Sequence, residues 1–371
     1  MTAGPLGASL ATMAETAKPT RTTHGRRGIL GVGNLIVDKM HRIPVYPAES
    51  LLVPITETSS SPGGGAVNVL FDLARVDPGL PLSIAGLVGN DEDGRFVRAQ
   101  FEVRGIDTQR IGIVPDRPTS FTHVMISEAN ATRTFFHGHG ANSRLGLDHV
   151  RTLDGSERIA HLAYLLLLEG LDVVDREYGS GGAHALAILR SKGYRTSLDV
   201  ISDPDPERYR RLVVPALPHA DYLSVNEHEA AGLTGGTPVA RDGVVDWAGA
   251  LAQASRLLDM GVRELVAIHF PDGAVAATRS GERCRQGSYH VPKREVVSAL
   301  GAGDAFCAGL LYGVHEGYPL ADCLRLGVAL AHFNLFAASA TDGAVPLAKL
   351  RALIDAKERE LARARGITSE G

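Results

Sequence analysis

The chain has 371 residues and a formal net charge of −4, with 44% hydrophobic and 22% charged residues. That composition supplies a full apolar core and excludes wholesale disorder, and its slightly acidic balance offers no positive field for a nucleic acid. The longest apolar runs, such as Ala163 to Leu168, fall far short of the roughly 20 residues that a membrane helix needs.

Residues 1–27 are small, polar and without periodicity, as expected of a disordered N-terminal tail, and 366–371 form a short C-terminal one. Between them, 28–365 are expected to form one α/β domain. Ile29 to Gly33 is an apolar strand ending in glycine. Residues near 39–61 and 115–137 lack helical periodicity and carry β-branched residues, as inserted strands of a small lid would. A helix follows Gly63-Gly64-Gly65 from Ala66 to Val76, then a buried strand from Leu82 to Val88 and a helix from Asp91 to Gly105. Strands at Leu162–Leu168, Arg195–Val200, Tyr222–Val225 and Leu265–His269 alternate with helices near 181–192, 206–217, 227–234 and 244–260. Helices at about 303–316, 320–339 and 346–364 close the chain. This alternation predicts a mostly parallel central sheet covered on both faces. Three cysteines, Cys284, Cys307 and Cys323, make neither a disulfide framework nor a paired zinc site, so a cytoplasmic setting is expected.

Glycine is over-represented, at 42 residues. Several glycines fall where chemistry is expected. Gly301-Ala302-Gly303-Asp304 opens a helix whose Phe306, Leu310 and Val314 share a face. Glycines there leave backbone N–H groups free for an anion, and the helix dipole favours negative charge. An aspartate at that point suits a general base that takes a proton from an attacking hydroxyl; the alternative is a plain helix cap. Asn226 and Glu229 follow the strand at Tyr222–Val225 and share one face of a first helical turn. They suit a hydrated Mg²⁺, or equally a capping box. Gly63-Gly64-Gly65 with Asn68 allows close approach of a polyol, and Asp38 and Glu169 are carboxylates read at strand ends, suited to sugar hydroxyls. No dinucleotide or P-loop glycine pattern is present in the sequence, and His137-Gly138-His139 has no further ligand set beside it.

Taken in order, these motifs resemble the ribokinase-like (PfkB) family of carbohydrate kinases. The resemblance runs from about Gly31 to Pro346 and includes Val88-Gly89-Asn90-Asp91-Glu92-Asp93-Gly94. It implies a three-layer α/β sandwich with a β-strand lid, and ATP-dependent, Mg²⁺-dependent phosphorylation of a hydroxyl on a small sugar, sugar acid or nucleoside. By that resemblance Asp304 is the base, and Gly301, Ala302 and Gly303 form the anion hole. Asn226 and Glu229 organise Mg²⁺ and phosphates, with Glu229 acting on the metal through water. Asp38, Gly63, Gly64, Asn68 and Glu169 hold the substrate, and the nucleotide lies near Gly273 and His332. The family's Asp-Thr-Thr is Ser298-Ala299-Leu300 here, so a monovalent cation is doubtful, and Gly65 stands where ribokinase has a lysine, which argues against ribose. A homodimer through the lid strands is a further expectation. The competing expectations are an adenosine-like nucleoside kinase and a non-catalytic sugar sensor.

Overall fold

A computed structural model describes residues 25–130, 132–241 and 244–364. Most of the expected terminal tails, 1–24 and 366–371, lies outside the described residues. Arg26 and Arg27, which the sequence placed in the tail, are held on the domain. The Arg26 guanidinium donates to Glu157 O and lies over the Tyr194 ring, and Arg27 N donates to Ser156 O.

The strands are β1 (Ile29–Gly33), β2 (Ile36–Ile43), β3 (Glu57–Gly63), β4 (Leu82–Gly89), β5 (Asp107–Val114), β6 (Ser120–Ser127), β7 (Arg133–Gly138) and β8 (Ile159–Leu165). They continue as β9 (Arg195–Val200), β10 (Tyr222–Asn226), β11 (Leu265–Phe270), β12 (Gly273–Thr278) and β13 (Arg283–Gly287). The principal helices are α1 (Gly65–Val76), α2 (Glu92–Glu102), α3 (Gly181–Ser191), α4 (Glu227–Thr234), α5 (Trp247–Asp259), α6 (Ala302–Glu316), α7 (Leu320–Asn334) and α8 (Leu347–Ala364).

Nine strands form the central sheet in the order β13-β12-β11-β10-β9-β8-β1-β4-β5. Pairing is parallel from β11 to β5 and antiparallel only at β12 and β13. The period-2 alternation of a strand divides the core between the two faces. Ile29 and Ala267 pack on one side with Phe306 and Leu310, while Leu30, Val32 and Ile268 pack on the other with Leu186 and Leu257. Four further strands form a separate lid sheet in the order β3-β2-β6-β7. The expected α/β sandwich with a mostly parallel sheet and a small β lid is therefore the fold observed.

Three local differences matter for the site. Strand β8 ends at Leu165, three residues earlier than its apolar run predicts. Leu166 turns with a φ of 73°, and the N–H groups of Leu166 and Leu168 are both taken by the Asp172 carboxylate. The predicted helix at 206–217 breaks into short α, π and 3-10 turns. Pro215 and Pro218 remove the N–H groups that a regular helix requires. Strand β5 was not anticipated; its exposed alternate positions blur the apolar signal.

Candidate active site

Helix α6 begins at the carboxyl ends of the parallel strands. Gly301 caps it at a φ of 76°, in the left-handed region that side chains avoid, and a Cβ there would lie 2.4 Å from Ala340 O. No side chain caps this helix; Ala302 N donates to Ala299 O at 3.2 Å, and the N–H groups of Gly301 and Gly303 stay available to an anion. Asp304 sits in that first turn and is 7% exposed. Asn68 Nδ2 donates to its Oδ2 at 2.9 Å, and the Tyr164 hydroxyl donates to its Oδ1 at 2.5 Å. Burial pushes the Asp304 carboxyl up to about 6, against the downward pull of those two hydrogen bonds.

Asn68 reaches Asp304 because α1 starts abruptly at Gly64, whose φ is 111°. Gly65 is fixed by Tyr164: a Cβ at 65 would come within 2.4 Å of that ring. The absence of a side chain at 65 is thus the counterpart of Tyr164, which approaches the base from β8.

A pocket of about 250 Å³ opens beside Asp304, lined also by Tyr164, Asp199, Ser202, Asn226, Glu229, Gly301 and Gly303. Glu229 accepts from Asn226 N at 2.8 Å, from Asn226 Nδ2 at 2.7 Å and from Ser202 Oγ at 2.9 Å. Asn226 Oδ1 in turn accepts from Glu229 N, completing a capping box. Of the two alternatives left open for this pair, the capping box is the one observed, and it fixes the carboxylate that lines the pocket. Burial raises Glu229 to about 7, and raises Asp199 well above the usual carboxylate range, with Glu229 and Asp304 adding repulsion. No Lys or Arg is among the lining residues. Three buried carboxylates without a counter-charge fit a divalent cation held by oxygen donors and water.

A second cavity of about 380 Å³ adjoins the first, sharing Asn226, His269 and Gly303. Gly273, Tyr289, Val328, Ala331, His332 and Leu335 line it, a largely apolar slot of the size that takes a heterocycle. His332 Nδ1 lies 3.1 Å from Tyr289 O, and burial lowers its basicity, so it presents a neutral ring.

The substrate candidates divide. Asp38 does not end a strand of the central sheet; it lies within lid strand β2, opposite Ser61 on β3 and Thr122 on β6. Burial pushes its carboxyl up to about 6, opposed by a hydrogen bond from Thr122. Gly63 makes room for it, since a Cβ there would meet Asp38 Oδ2 at 2.2 Å. Glu169 is displaced from the expected strand end by the early close of β8. Its side chain is 49% exposed and lies 3.3 Å from His139 Nε2. Sequence reasoning missed Tyr164 and Asp199. Asp199 was accessible to the rule applied to Asp38 and Glu169, being an acid near the end of an apolar strand.

A glycine-capped helix start, a buried aspartate in its first turn and an adjoining apolar slot are features that phosphoryl transfer can use. Residues 33–346 match the model of the pfkB family carbohydrate kinases, and the chain belongs to that family. It is an ATP-dependent carbohydrate kinase, as expected from its motifs. It is similar to the 5-dehydro-2-deoxygluconokinase of Shouchella clausii, with 24% identity over 81% of this chain and 90% of that protein. Its fold is that of the Arabidopsis thaliana ribokinase complexed with ribose and ATP (TM-score 0.71, 20% identity, 89% of this chain and 99% of that one). The Methanocaldococcus jannaschii nucleoside kinase shares the fold as well (TM-score 0.68, 17% identity, 91% and 100%).

Proposed function

We propose that this kinase transfers the γ-phosphoryl group of ATP to a hydroxyl of a small sugar or sugar acid, with Asp304 as general base. The observation that carries this reading is the convergence of Asn68 and Tyr164 on a buried aspartate in the first turn of a glycine-capped helix. The acceptor hydroxyl gives its proton to Asp304 as its oxygen bonds to the γ-phosphorus; the bond to the bridging oxygen breaks and ADP leaves. The backbone N–H groups of Gly301 and Gly303 face the charge on the moving phosphoryl group, whereas that of Ala302, expected to join them, donates to Ala299 O at 3.2 Å. Asp199 and Glu229 would hold Mg²⁺, Glu229 through water because its oxygens already accept three hydrogen bonds. Mg²⁺ supplies neutralisation of phosphate charge. The slot between Gly273 and His332 takes the adenine.

The lid supports a polar acceptor. Asp38, Thr122 and His137 lie side by side across β2, β6 and β7. Strand alternation puts Phe121 and Phe136 on the opposite face and leaves Phe135 alone of the three on the Asp38 face, so the lid does not gather them into one aromatic slot for a nucleoside base. Gly63, Gly64 and Asn68 complete the acceptor site, with Glu169 and His139 at its rim. Phe135 and Phe136, 54% and 50% exposed on edge strand β7, support pairing of two copies through their lids. Free cysteines and an ATP requirement fit a cytoplasmic enzyme, and no helix among the described residues is long and apolar enough to cross a membrane. An ADP-release screen with Mg-ATP across sugars, sugar acids and nucleosides tests the reading. Release is expected with a sugar or sugar acid; release with nucleosides alone contradicts it.

A further inference from the structure

Below the transfer pocket, three side chains of metal-ligand type meet inside the core. A ring nitrogen of His161, a carboxylate oxygen of Asp199 and Cys307 Sγ all lie within 4.8 Å of one another. The fold brings them from β8, β9 and α6, with Cys307 one turn beyond Asp304. His161 and Cys307 are fully buried, and Asp199 is 8% exposed. His161 Nδ1 is 3.0 Å from Ser197 Oγ, but Nε2 has no partner. A buried ring nitrogen without a partner costs free energy that an aliphatic side chain between Ala160 and Leu162 would avoid. Asp199 accepts from the adjacent Val200 N–H, and burial disfavours its charge. Neither the kinase chemistry nor apolar packing accounts for a histidine and a thiol beside this carboxylate.

We propose that His161, Asp199 and Cys307 form a site for one borderline-soft divalent cation of the zinc class, and that filling it withdraws Asp199 from the transfer pocket and inhibits the kinase. The donors are one nitrogen, one sulfur and one oxygen, a set that zinc-class ions accept and Mg²⁺ does not prefer. Entry is through the pocket, because Asp199 lines it. Ligand bonds of about 2.0–2.3 Å draw the three donors together, so the carboxylate turns from Glu229 toward Cys307. Burial, with repulsion from Asp199 and Asp304, holds the Cys307 thiol well above its usual range, so binding releases its proton as the sulfur–metal bond forms. Binding is independent of the kinase reading; the inhibition rests on it.

The test is a Co²⁺ titration of the metal-free full chain in excess Mg²⁺, following thiolate-to-cobalt charge-transfer absorption. One equivalent is expected to bind with that band. The band should persist in Cys284→Ser/Cys323→Ser, where Cys307 is the sole cysteine of the chain. His161→Gln should weaken binding at least tenfold, and Zn²⁺ should displace Co²⁺ over the same concentrations that slow ADP release. Absence of a thiolate band in the wild type overturns the site, as does a band that survives Cys307→Ser. Stoichiometric binding with unchanged turnover overturns the inhibition while leaving the kinase reading intact.

Discussion

Asp304 and Glu169 are both carboxylates of the proposed site, yet the molecule treats them in opposite ways. Asp304 is sealed at 7% exposure, and each of its oxygens accepts a hydrogen bond from a side chain on another element. Glu169 is half exposed on a turn and meets only the equally exposed His139. The first arrangement fixes the position and basicity of a charge in a low-dielectric site; the second is screened by solvent and adaptable. Under the proposed reading, chemistry resides on the helix terminus and sheet ends, and acceptor choice on the lid and rim.

Substitutions sharpen that contrast, and their effects should fall in a definite order. Asp304→Asn is expected to lower kcat by about 10²–10⁴ while calorimetry still shows acceptor binding. The same change relieves a buried charge, so its Tm should exceed that of the wild type at pH 8. That gain should shrink as pH falls through about 6, where the native carboxylate itself becomes protonated. Gly65→Ala comes next. Its Cβ would strike the Tyr164 ring at 2.4 Å, and a loss of about 1–3 kcal/mol in stability together with reduced kcat is expected from overpacking. Tyr164→Phe removes one charge-assisted hydrogen bond, worth about 1.5–3 kcal/mol, and should move the acid limb of the rate profile upward because that bond lowers the pKa of Asp304. Glu229→Gln should shift the Mg²⁺ concentration needed for half-maximal rate, since the buried pocket loses one of three carboxylates. Glu169→Gln is the smallest, a change in acceptor KM within about threefold, in keeping with an exposed pair worth about 0–1 kcal/mol. A larger effect from Glu169→Gln than from Tyr164→Phe would break the comparison.

The elements with strong local signals were legible. Arg195–Val200 and Glu227–Thr234 match their expected bounds. The glycine-led helix starts at Gly64 and Gly301 were visible too, because positive φ leaves a residue-type trace. What escaped was set by tertiary contact. The run Leu162–Leu168 is apolar throughout, so its period could not show that the strand stops at Leu165; Asp172, seven residues on, imposes the turn. Tyr164 reads as one more core residue until its ring is seen over Gly65 and its hydroxyl on Asp304. Asp38 sits beside a motif, but only strand pairing shows that it belongs to the lid. Gly65 illustrates the limit best: the sequence shows a missing side chain, and the structure shows the Tyr164 ring that fills the space.

Burial holds the carboxyl of Asp304, the proposed base, at about 6. The direct measurement is kcat/KM for the acceptor between pH 5 and 8, in the wild type and in Asp304→Asn. The wild type should rise tenfold per pH unit and level off above about 6, because only the ionised carboxylate takes the proton, and the residual activity of Asp304→Asn should lack that limb. A wild-type profile flat across the range, or the same limb in the variant, would contradict the assignment of Asp304 as the base.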